Sequence, residues 1–258
     1  MGLHVYPVSI QSVHPPIRCL WSRPSPEFRT GPTVIYFHGL NSNRNQIFQE
    51  TYLPLAEAIQ ALHYNLFAVE LRHHGERRAN KESTAVQNWL TEFAKNASNP
   101  FADTLTDLHA IVDFLLEKKI ATPDRIAVTG LSWGAMHALY ALTAEPRIHT
   151  GVALLPVCQI RSLIELKPLA HHPLLQQYEP LHYVKGLAPK PLLFVTAQND
   201  TRAQPQHALA LYRQLQTEYQ QIGAETHLAY SMILGATHAY HPQLTERTTY
   251  WLRQHLEK

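Results

Sequence analysis

The chain has 258 residues, of which 45% are hydrophobic and 16% charged, and its formal net charge is +2. These values fit one large globular domain or two small ones. Lys and Arg are scattered without a block of like charge, which excludes the usual electrostatic pattern of nucleic-acid binding. No apolar stretch is long enough to cross a bilayer, and the first residues lack the basic and apolar regions of a secretory signal. We therefore expect a cytoplasmic protein with neither a nucleic acid nor a membrane as partner.

Short β-branched or aromatic runs alternate with amphipathic helical patterns along the chain. Strands are predicted at residues 4–10, 17–21, 33–37, 66–71, 125–129, 151–156, 191–197 and 227–234. Helices are predicted at residues 46–62, 103–116, 133–144, 206–222 and 242–256, with a weaker helical pattern at 89–93. A turn at His14-Pro15-Pro16 joins the first two strands. The alternation predicts an α/β fold: one domain over residues 1–258, with a mostly parallel eight-stranded sheet and helices on both faces.

Three segments do not fit this alternation. Residues 156–189 are a candidate for a small lid of one or two short helices, and the loop 76–100 is a second segment that would cover a site. The basic stretch 72–78 is interpreted as a solvated loop. Its His73-His74-Gly75 is interpreted as a tight solvated turn, with a substrate-pocket role for one histidine as the alternative. Four aromatic residues are candidates for either a pocket wall or ordinary core: Trp89, Phe93, Phe101 and Trp133.

The cysteine and histidine residues give little support for disulfide bonds or a metal site. Cys19 and Cys158 are too few for a disulfide framework, and Cys158 lies in an apolar run typical of a small buried residue. The 17 histidines include two adjacent pairs, at 73–74 and 171–172. Adjacent side chains point in different directions on a helix or a strand, so such pairs are poor chelates. The sequence predicts neither a metal nor an organic cofactor.

One motif carries specific chemistry. Gly130-Leu131-Ser132-Trp133-Gly134 is a G-x-S-x-G, and it lies directly between a predicted strand and a predicted helix. A nucleophile at such a sharp turn needs strained backbone angles, and the two glycines remove the Cβ atoms that would collide there. The serine Oγ is then held above the sheet edge, near the positive end of the helix. This setting favours Ser132 as a nucleophile over a helix N-cap.

The sequence resembles the α/β-hydrolase superfamily, and more narrowly the dienelactone-hydrolase and prolyl-oligopeptidase-like esterases. The resemblance runs from about Thr33 to the C-terminus. It rests on FHGLNSN at 37–43, LRHHGER at 71–77, GLSWG at 130–134, TAQNDTRAQP at 196–205 and GATHAY at 235–240. It implies a single-domain α/β-hydrolase fold and hydrolysis of carboxylic esters. Dienelactone hydrolases have Cys where this chain has Ser132, so their lactone chemistry is not carried over.

A serine hydroxyl is a weak nucleophile, so it needs a neutral base and an acid that orients the base. In this fold the chain order is serine, acid, histidine. Asp200 is the only Asp after Ser132, and it follows a predicted strand, which favours it as the acid over a turn or cap role. Of the five later histidines, His238 lies in the loop beyond the last strand. His238 is therefore the predicted base, and His241, at the start of the last helix, is the alternative.

The developing oxyanion needs two backbone N–H donors. Trp133, the residue after the nucleophile, supplies one, and by resemblance the amide of Leu40 supplies the other. His38 is expected to brace this loop through a side-chain hydrogen bond. The loop is HG followed by a large residue, so the glycine-rich loop of many lipases is absent.

The sequence therefore predicts a serine carboxylesterase whose partner is a small-molecule ester, with short acyl chains preferred. A thioesterase or small peptidase of the same fold is an alternative. The related oligopeptidases gate such a domain with a large N-terminal propeller, and only about thirty residues precede the first core strand here. A non-catalytic ligand receptor is the alternative from a different class, and it would be favoured by an incomplete triad.

Overall fold

Eight strands and eight α-helices follow one another in residues 3–12, 15–28, 30–94 and 99–257, the part of the chain that the computed structural model describes. The strands are β1 His4–Ile10, β2 Ile17–Arg23, β3 Thr33–Phe37, β4 Asn65–Val69, β5 Ile126–Leu131, β6 Thr150–Leu154, β7 Leu192–Ala197 and β8 Leu228–Ile233. The helices are α1 Leu53–Ala61, α2 Ala85–Ala94, α3 Pro100–Glu117, α4 Trp133–Ala144, α5 Pro173–Gln177, α6 Pro180–Tyr183, α7 Pro205–Gln221 and α8 Pro242–Leu256. The predicted first turn includes His14, which lies outside the described residues.

The strands form one sheet in the order β1-β2-β4-β3-β5-β6-β7-β8. The pairs β1–β2 and β2–β4 are antiparallel, and every other neighbouring pair is parallel. The five strands from β3 to β7 are buried along their whole length, which explains why they are near-continuous apolar runs in the sequence. The predicted α/β-hydrolase architecture, with its mostly parallel eight-stranded sheet, is confirmed.

Helices cover both faces of the sheet. Helices α1 and α8 pack on one face through residues such as Ile59 and Leu252. Helices α3, α4 and α7 pack on the other, through residues such as Ile111 and Leu215. Residues 133–142 of α4 are all buried, as expected for a helix enclosed between the sheet and a second layer of helices. In the described residues, no helix is both long and apolar enough to span a membrane.

The single helix predicted at residues 46–62 is wrong. The structure has a 3-10 turn at Gln46–Phe48, and α1 starts only at Leu53, with Pro54 in its first turn. A proline has no N–H to donate, and its ring clashes with the carbonyl four residues earlier. Pro54 is therefore accepted in a first turn but not inside a continuous helix.

The loop predicted at 76–100 contains a full helix, α2, and the weaker helical pattern predicted at 89–93 is part of it. Its start is fixed by a reciprocal pair of hydrogen bonds. The N–H of Gln87 donates to Thr84 Oγ1 at 3.1 Å, and the N–H of Thr84 donates to Gln87 Oε1 at 2.8 Å. This is a capping box, in which each side chain satisfies a backbone donor of the other residue.

The interpretation of residues 72–78 as a solvated loop is also wrong. Arg72 donates from Nε and Nη2 to the two carboxylate oxygens of Asp107, at 2.9 and 3.0 Å. Arg77 Nη1 lies 2.7 Å from Asp107 Oδ2. His74 is 1% exposed. Because α3 supplies a buried counter-ion, the guanidinium groups turn inward rather than toward water.

The four aromatic candidates belong to the core. Trp89 and Phe93 stack with ring centroids 4.8 Å apart, and Trp89 meets Trp133 edge-on at 6.0 Å. Phe101 stacks on Tyr178 of the segment 156–189 at 4.6 Å. That segment contains α5 and α6 together with two 3-10 turns. Cys19 and Cys158 are buried free thiols.

Candidate active site

Ser132 sits at the sharp turn between β5 and α4. Its backbone angles are φ 58° and ψ −110°, a strained conformation for a residue with a Cβ. The neighbouring glycines allow strand and helix to approach this closely. A Cβ on Gly134 would lie 2.0 Å from the carbonyl oxygen of Phe37, and one on Gly130 would lie 2.4 Å from the backbone of Gly134. Only glycine fits at these two positions.

The structure brings Ser132, His238 and Asp200 into one hydrogen-bonded series. Ser132 Oγ lies 2.9 Å from His238 Nε2, and His238 Nδ1 lies 2.7 Å from Asp200 Oδ2. An ionised carboxylate only accepts hydrogen bonds, so Nδ1 carries the proton that Asp200 accepts. Nε2 is then the acceptor for the serine hydroxyl. The side chain of His238 is 21% exposed, and that of Asp200 is fully buried.

Asp200 is held by its own turn after β7. The backbone N–H groups of Arg202 and Ala203 donate to Asp200 Oδ1 at 2.9 and 2.8 Å. This leaves Oδ2 for His238. The alternative base, His241, caps α8 instead: its Nδ1 accepts from the N–H of Gln243 at 3.2 Å.

The loop after β3 is fixed from both sides. His38 Nδ1 donates to the carbonyl of Gly39 at 2.9 Å, and its Nε2 accepts from the N–H of Leu71 at 3.1 Å. Gln46 Oε1 accepts from the N–H of Gly39 at 2.8 Å and from the hydroxyl of Tyr36 at 3.0 Å. The predicted bracing by His38 is present, and Gln46 is a second brace that the sequence did not reveal.

The amides of Leu40 and Trp133 are the two donors predicted for an oxyanion. Leu40 and Ser132 line the same cavity, and Trp133 is the first residue of α4. In the described part of the chain, neither amide N–H is used in a hydrogen bond within the protein. Neither donor is therefore committed to a hydrogen bond inside the described part of the protein.

Residues 87–258 match the family model described as Peptidase_S9, the prolyl oligopeptidase family. The chain belongs to the prolyl oligopeptidase family. Comparison with curated protein sequences gives no match.

Solved structures with this fold include both esterases and peptidases. The esterase Pf2001 from Pyrococcus furiosus is 21% identical and has a TM-score of 0.68, with 98% of this chain and 94% of that chain covered. TT1662 from Thermus thermophilus is 18% identical over the whole of both chains, with a TM-score of 0.75. The acylaminoacyl peptidase from Pyrococcus horikoshii is 16% identical with a TM-score of 0.66, and the match covers all of this chain but 41% of the peptidase. At these identities the likeness shows the fold alone.

A cavity of about 180 Å³ opens at the serine of this family member. It is lined by Gly39, Leu40, Gln46, Tyr52, Leu131, Ser132, Leu155, Arg202, His238 and Ala239. Arg202 Nη2 donates to Glu165 Oε1 of the segment 156–189 at 2.5 Å. The guanidinium at the cavity wall is thus neutralised from within the chain.

Two buried histidines lie behind this site and take no part in it. His137, on α4, donates from Nδ1 to the carbonyl of Trp133 at 2.9 Å. Burial lowers the pKa of His137 to about 4. His74 packs edge-on against His38 at 4.9 Å, and burial together with the His38 ring lowers the pKa of His74 well below its usual range. Both side chains are therefore neutral at pH 7.

Sequence reasoning missed three residues whose polar side chains line the cavity: Gln46, Tyr52 and Arg202. Gln46 and Tyr52 fell inside a predicted helix, which hid the turn that directs them toward the serine. Arg202 had a signal that was not used, since it lies two residues after the predicted acid in the same loop.

Proposed function

We propose that this member of the prolyl oligopeptidase family is a carboxylesterase that forms an acyl-enzyme on Ser132. The supporting observation is the series Ser132–His238–Asp200, with contacts of 2.9 and 2.7 Å at the wall of an open cavity. A nucleophile, a base within hydrogen-bond reach and an acid behind the base are the parts that acyl transfer requires.

In the first half of the proposed reaction, Ser132 Oγ attacks the ester carbonyl while His238 Nε2 takes the hydroxyl proton. The imidazolium that forms is stabilised by Asp200 through the 2.7 Å contact at Nδ1. As the tetrahedral intermediate collapses, His238 returns the proton to the departing alcohol. The acyl group remains on Ser132 as an ester.

We assign stabilisation of the negative charge on the carbonyl oxygen to the N–H groups of Leu40 and Trp133. Both are backbone groups held by fixed elements, so little reorganisation is needed when the charge develops. In the second half, His238 takes a proton from water, the hydroxide attacks the acyl-enzyme, and His238 reprotonates Ser132. The same two amides stabilise the second intermediate.

The cavity favours small esters among the possible substrates. Its volume of about 180 Å³ is below the roughly 300–1,000 Å³ of common ligand pockets. We therefore expect uncharged acyl chains of about two to six carbons to be cleaved fastest, since the cavity at Ser132 has little room to bind longer ones. The esterase among the structural neighbours supports esters over peptides, whereas the family name supports peptides.

A single panel of substrates tests this proposal. Values of kcat/KM are measured for 4-nitrophenyl esters of increasing acyl length, for a matched thioester and for peptide 4-nitroanilides, each against the Ser132→Ala variant. We expect a maximum at a short ester and loss of that activity in the variant. A maximum at twelve carbons or more, or Ser132-dependent cleavage of the anilides alone, would contradict the proposal.

A further inference from the structure

We propose that a second cavity, lined by the residues that directly follow Leu40 in the chain, binds an anionic group of the substrate through Arg78. The anion is a carboxylate or a phosphate carried by the acyl or alcohol part of the ester, away from the scissile bond. The inference rests on the proposed function, since it describes an extension of the same site.

The two cavities share one loop. Gly39 and Leu40 line the cavity at Ser132, and the next three residues, 41–43, line the second one. Consecutive Cα atoms are only about 3.8 Å apart, so adjacent residues of this one loop border the two cavities. Both also lie beyond the carboxyl ends of parallel strands, where ligands bind in folds of this type.

The second cavity has a volume of about 320 Å³. It is lined by Asn41, Ser42, Asn43, Gly75, Arg78, Thr84 and Ala85. Five of these seven residues carry polar side chains, and the guanidinium of Arg78 is the single ionised group among them. The charge of this one residue therefore sets the sign of the ligand that the cavity accepts.

Arg78 has no carboxylate partner in the described part of the chain. Its Nε donates to the carbonyl of Gly75 at 3.2 Å, and its Nη1 donates to the carbonyl of Ser83 at 2.8 Å. These bonds orient the guanidinium without neutralising it. A partly buried cation without a counter-ion is costly, and an anion in the cavity would offset that cost.

Other arginines near the two cavities are neutralised. Arg202, at the wall of the Ser132 cavity, donates to Glu165 at 2.5 Å. Arg44 forms ion pairs with Glu70 and Glu76 at 3.1 and 2.6 Å. This difference makes Arg78, rather than Arg202, the cation that is available to a ligand.

The neutral groups of the second cavity are arranged as donors. Asn41 Oδ1 already accepts from the N–H of Val86 at 3.3 Å. Asn43 Oδ1 accepts from the backbone and the side chain of Asn45, at 2.9 and 3.0 Å. Because both carboxamide oxygens are occupied, the amide NH₂ groups remain to donate. Amide donors beside a guanidinium suit a carboxylate or phosphate, with which charge-assisted hydrogen bonds form.

The test compares esters that differ only in a remote charge. The substrates are 4-nitrophenyl monoesters of dicarboxylic acids with four to eight carbons, each beside its methyl-capped, uncharged partner. A second series carries a terminal phosphate at the same chain lengths. The enzymes are wild type, Arg78→Gln, and Lys81→Gln as the control, because Lys81 is a neighbouring cation that does not line the cavity.

In wild type, we expect at least one anionic ester to exceed its capped partner in kcat/KM by about 10-fold or more, as a charged hydrogen bond allows. Arg78→Gln should bring that ratio to about one, and Lys81→Gln should leave it unchanged. The favoured series identifies the anion as carboxylate or phosphate. Ser132-dependent cleavage of the capped esters with no anionic preference in wild type, or a preference that Arg78→Gln retains, would overturn this inference alone. Cleavage that persists in Ser132→Ala would instead overturn the proposed function.

Discussion

Two turns at the carboxyl edge of the sheet each contain a non-glycine residue with a positive φ but have different roles. Ser132, after β5, and His73, four residues after β4, both have a positive φ, of 58° and 62°. At the first turn the side chain meets His238 at the wall of a cavity. At the second, the flanking Arg72 and Arg77 turn inward onto Asp107. A residue with a positive φ changes the direction of the chain. The side chains that face the turn then determine whether it forms part of a cavity or stabilises the fold.

At the Ser132 turn, removing the proposed base, His238, should have a large effect on activity and almost none on stability. His238→Ala takes away the acceptor of the Ser132 proton, so kcat/KM for a short ester should fall by about 10³-fold or more. The unfolding midpoint in urea should change little, because the side chain is partly exposed.

His241→Ala is the matched control for that variant, since it removes a histidine from the same loop. It deletes the cap on α8 and should cost about 1 kcal/mol of stability while most of the activity remains. If His241→Ala lost the activity and His238→Ala retained it, the base would be His241.

At the other turn, Asp107→Ala should act on stability. The carboxylate accepts from Arg72 and contacts Arg77. Its removal leaves the buried guanidinium of Arg77 without this counter-ion, and leaves Arg72 with only Asp103, whose Oδ2 lies 3.5 Å from Nη1. We expect a loss of about 3 to 5 kcal/mol in the free energy of unfolding, measured by urea denaturation. The enzyme that is still folded at low temperature should keep kcat within a few-fold of wild type. A stability close to wild type would show that this network does not support the fold.

Loss of the Gln46 side chain, which holds the loop that contains Leu40, should have an intermediate effect on activity. Gln46→Leu removes the acceptor for the Gly39 N–H, and the freed loop should lower kcat by about 10- to 100-fold, as small displacements of reacting groups do. KM should change less than kcat. Tyr36→Phe is the control, since it removes only the second bond to Gln46 and should have a much smaller effect. Equal losses in the two variants would argue against a positioning role.

Burial of His137 should have a smaller, pH-dependent effect on the free energy of unfolding. Burial lowers the folded-state pKa of His137 to about 4, against about 6.5 in an unfolded chain. The stability from neutral His137 is therefore fully present above pH 6.5 and is lost as the pH falls toward 4. From pH 7 to pH 5 the loss amounts to about 2 kcal/mol. His137→Asn should flatten the dependence of the urea midpoint on pH, and an unchanged slope would contradict the assignment.

Features encoded within a few residues were predictable from the sequence. The strand, the G-x-S-x-G and the helix after it fix the Ser132 turn locally, because Gly130 and Gly134 are required by contacts within that unit and β3. The chain order of this fold then indicated Asp200 as the acid and His238 as the base. In the structure His238 contacts Ser132, and Asp200 contacts His238.

Features that depend on partners distant in sequence were not predictable. Arg72 reads as solvated because Asp107, its counter-ion, lies 35 positions away on α3. Gln46 is outside α1, because Pro54 lies in the first turn of that helix and the residues before Leu53 form a separate turn that holds the loop after β3. Arg78 was interpreted together with its neighbours as one basic stretch. In the structure Arg72 and Arg77 each form an ion pair with Asp107, whereas Arg78 lines a cavity.

Covalent labelling of Ser132 measures directly whether this serine is an activated nucleophile. Purified wild-type protein is treated with a fluorophosphonate at about pH 7.5, above the ordinary pKa of histidine, and digested, and the labelled peptide is located by mass spectrometry. We expect stoichiometric modification on the peptide that contains Ser132, no labelling of Ser132→Ala, and much slower labelling of His238→Ala, because the hydroxyl is activated through its contact with the imidazole. A folded wild-type protein that does not label, as expected of a non-catalytic ligand receptor, or one that labels at another serine, would contradict the proposed role of Ser132.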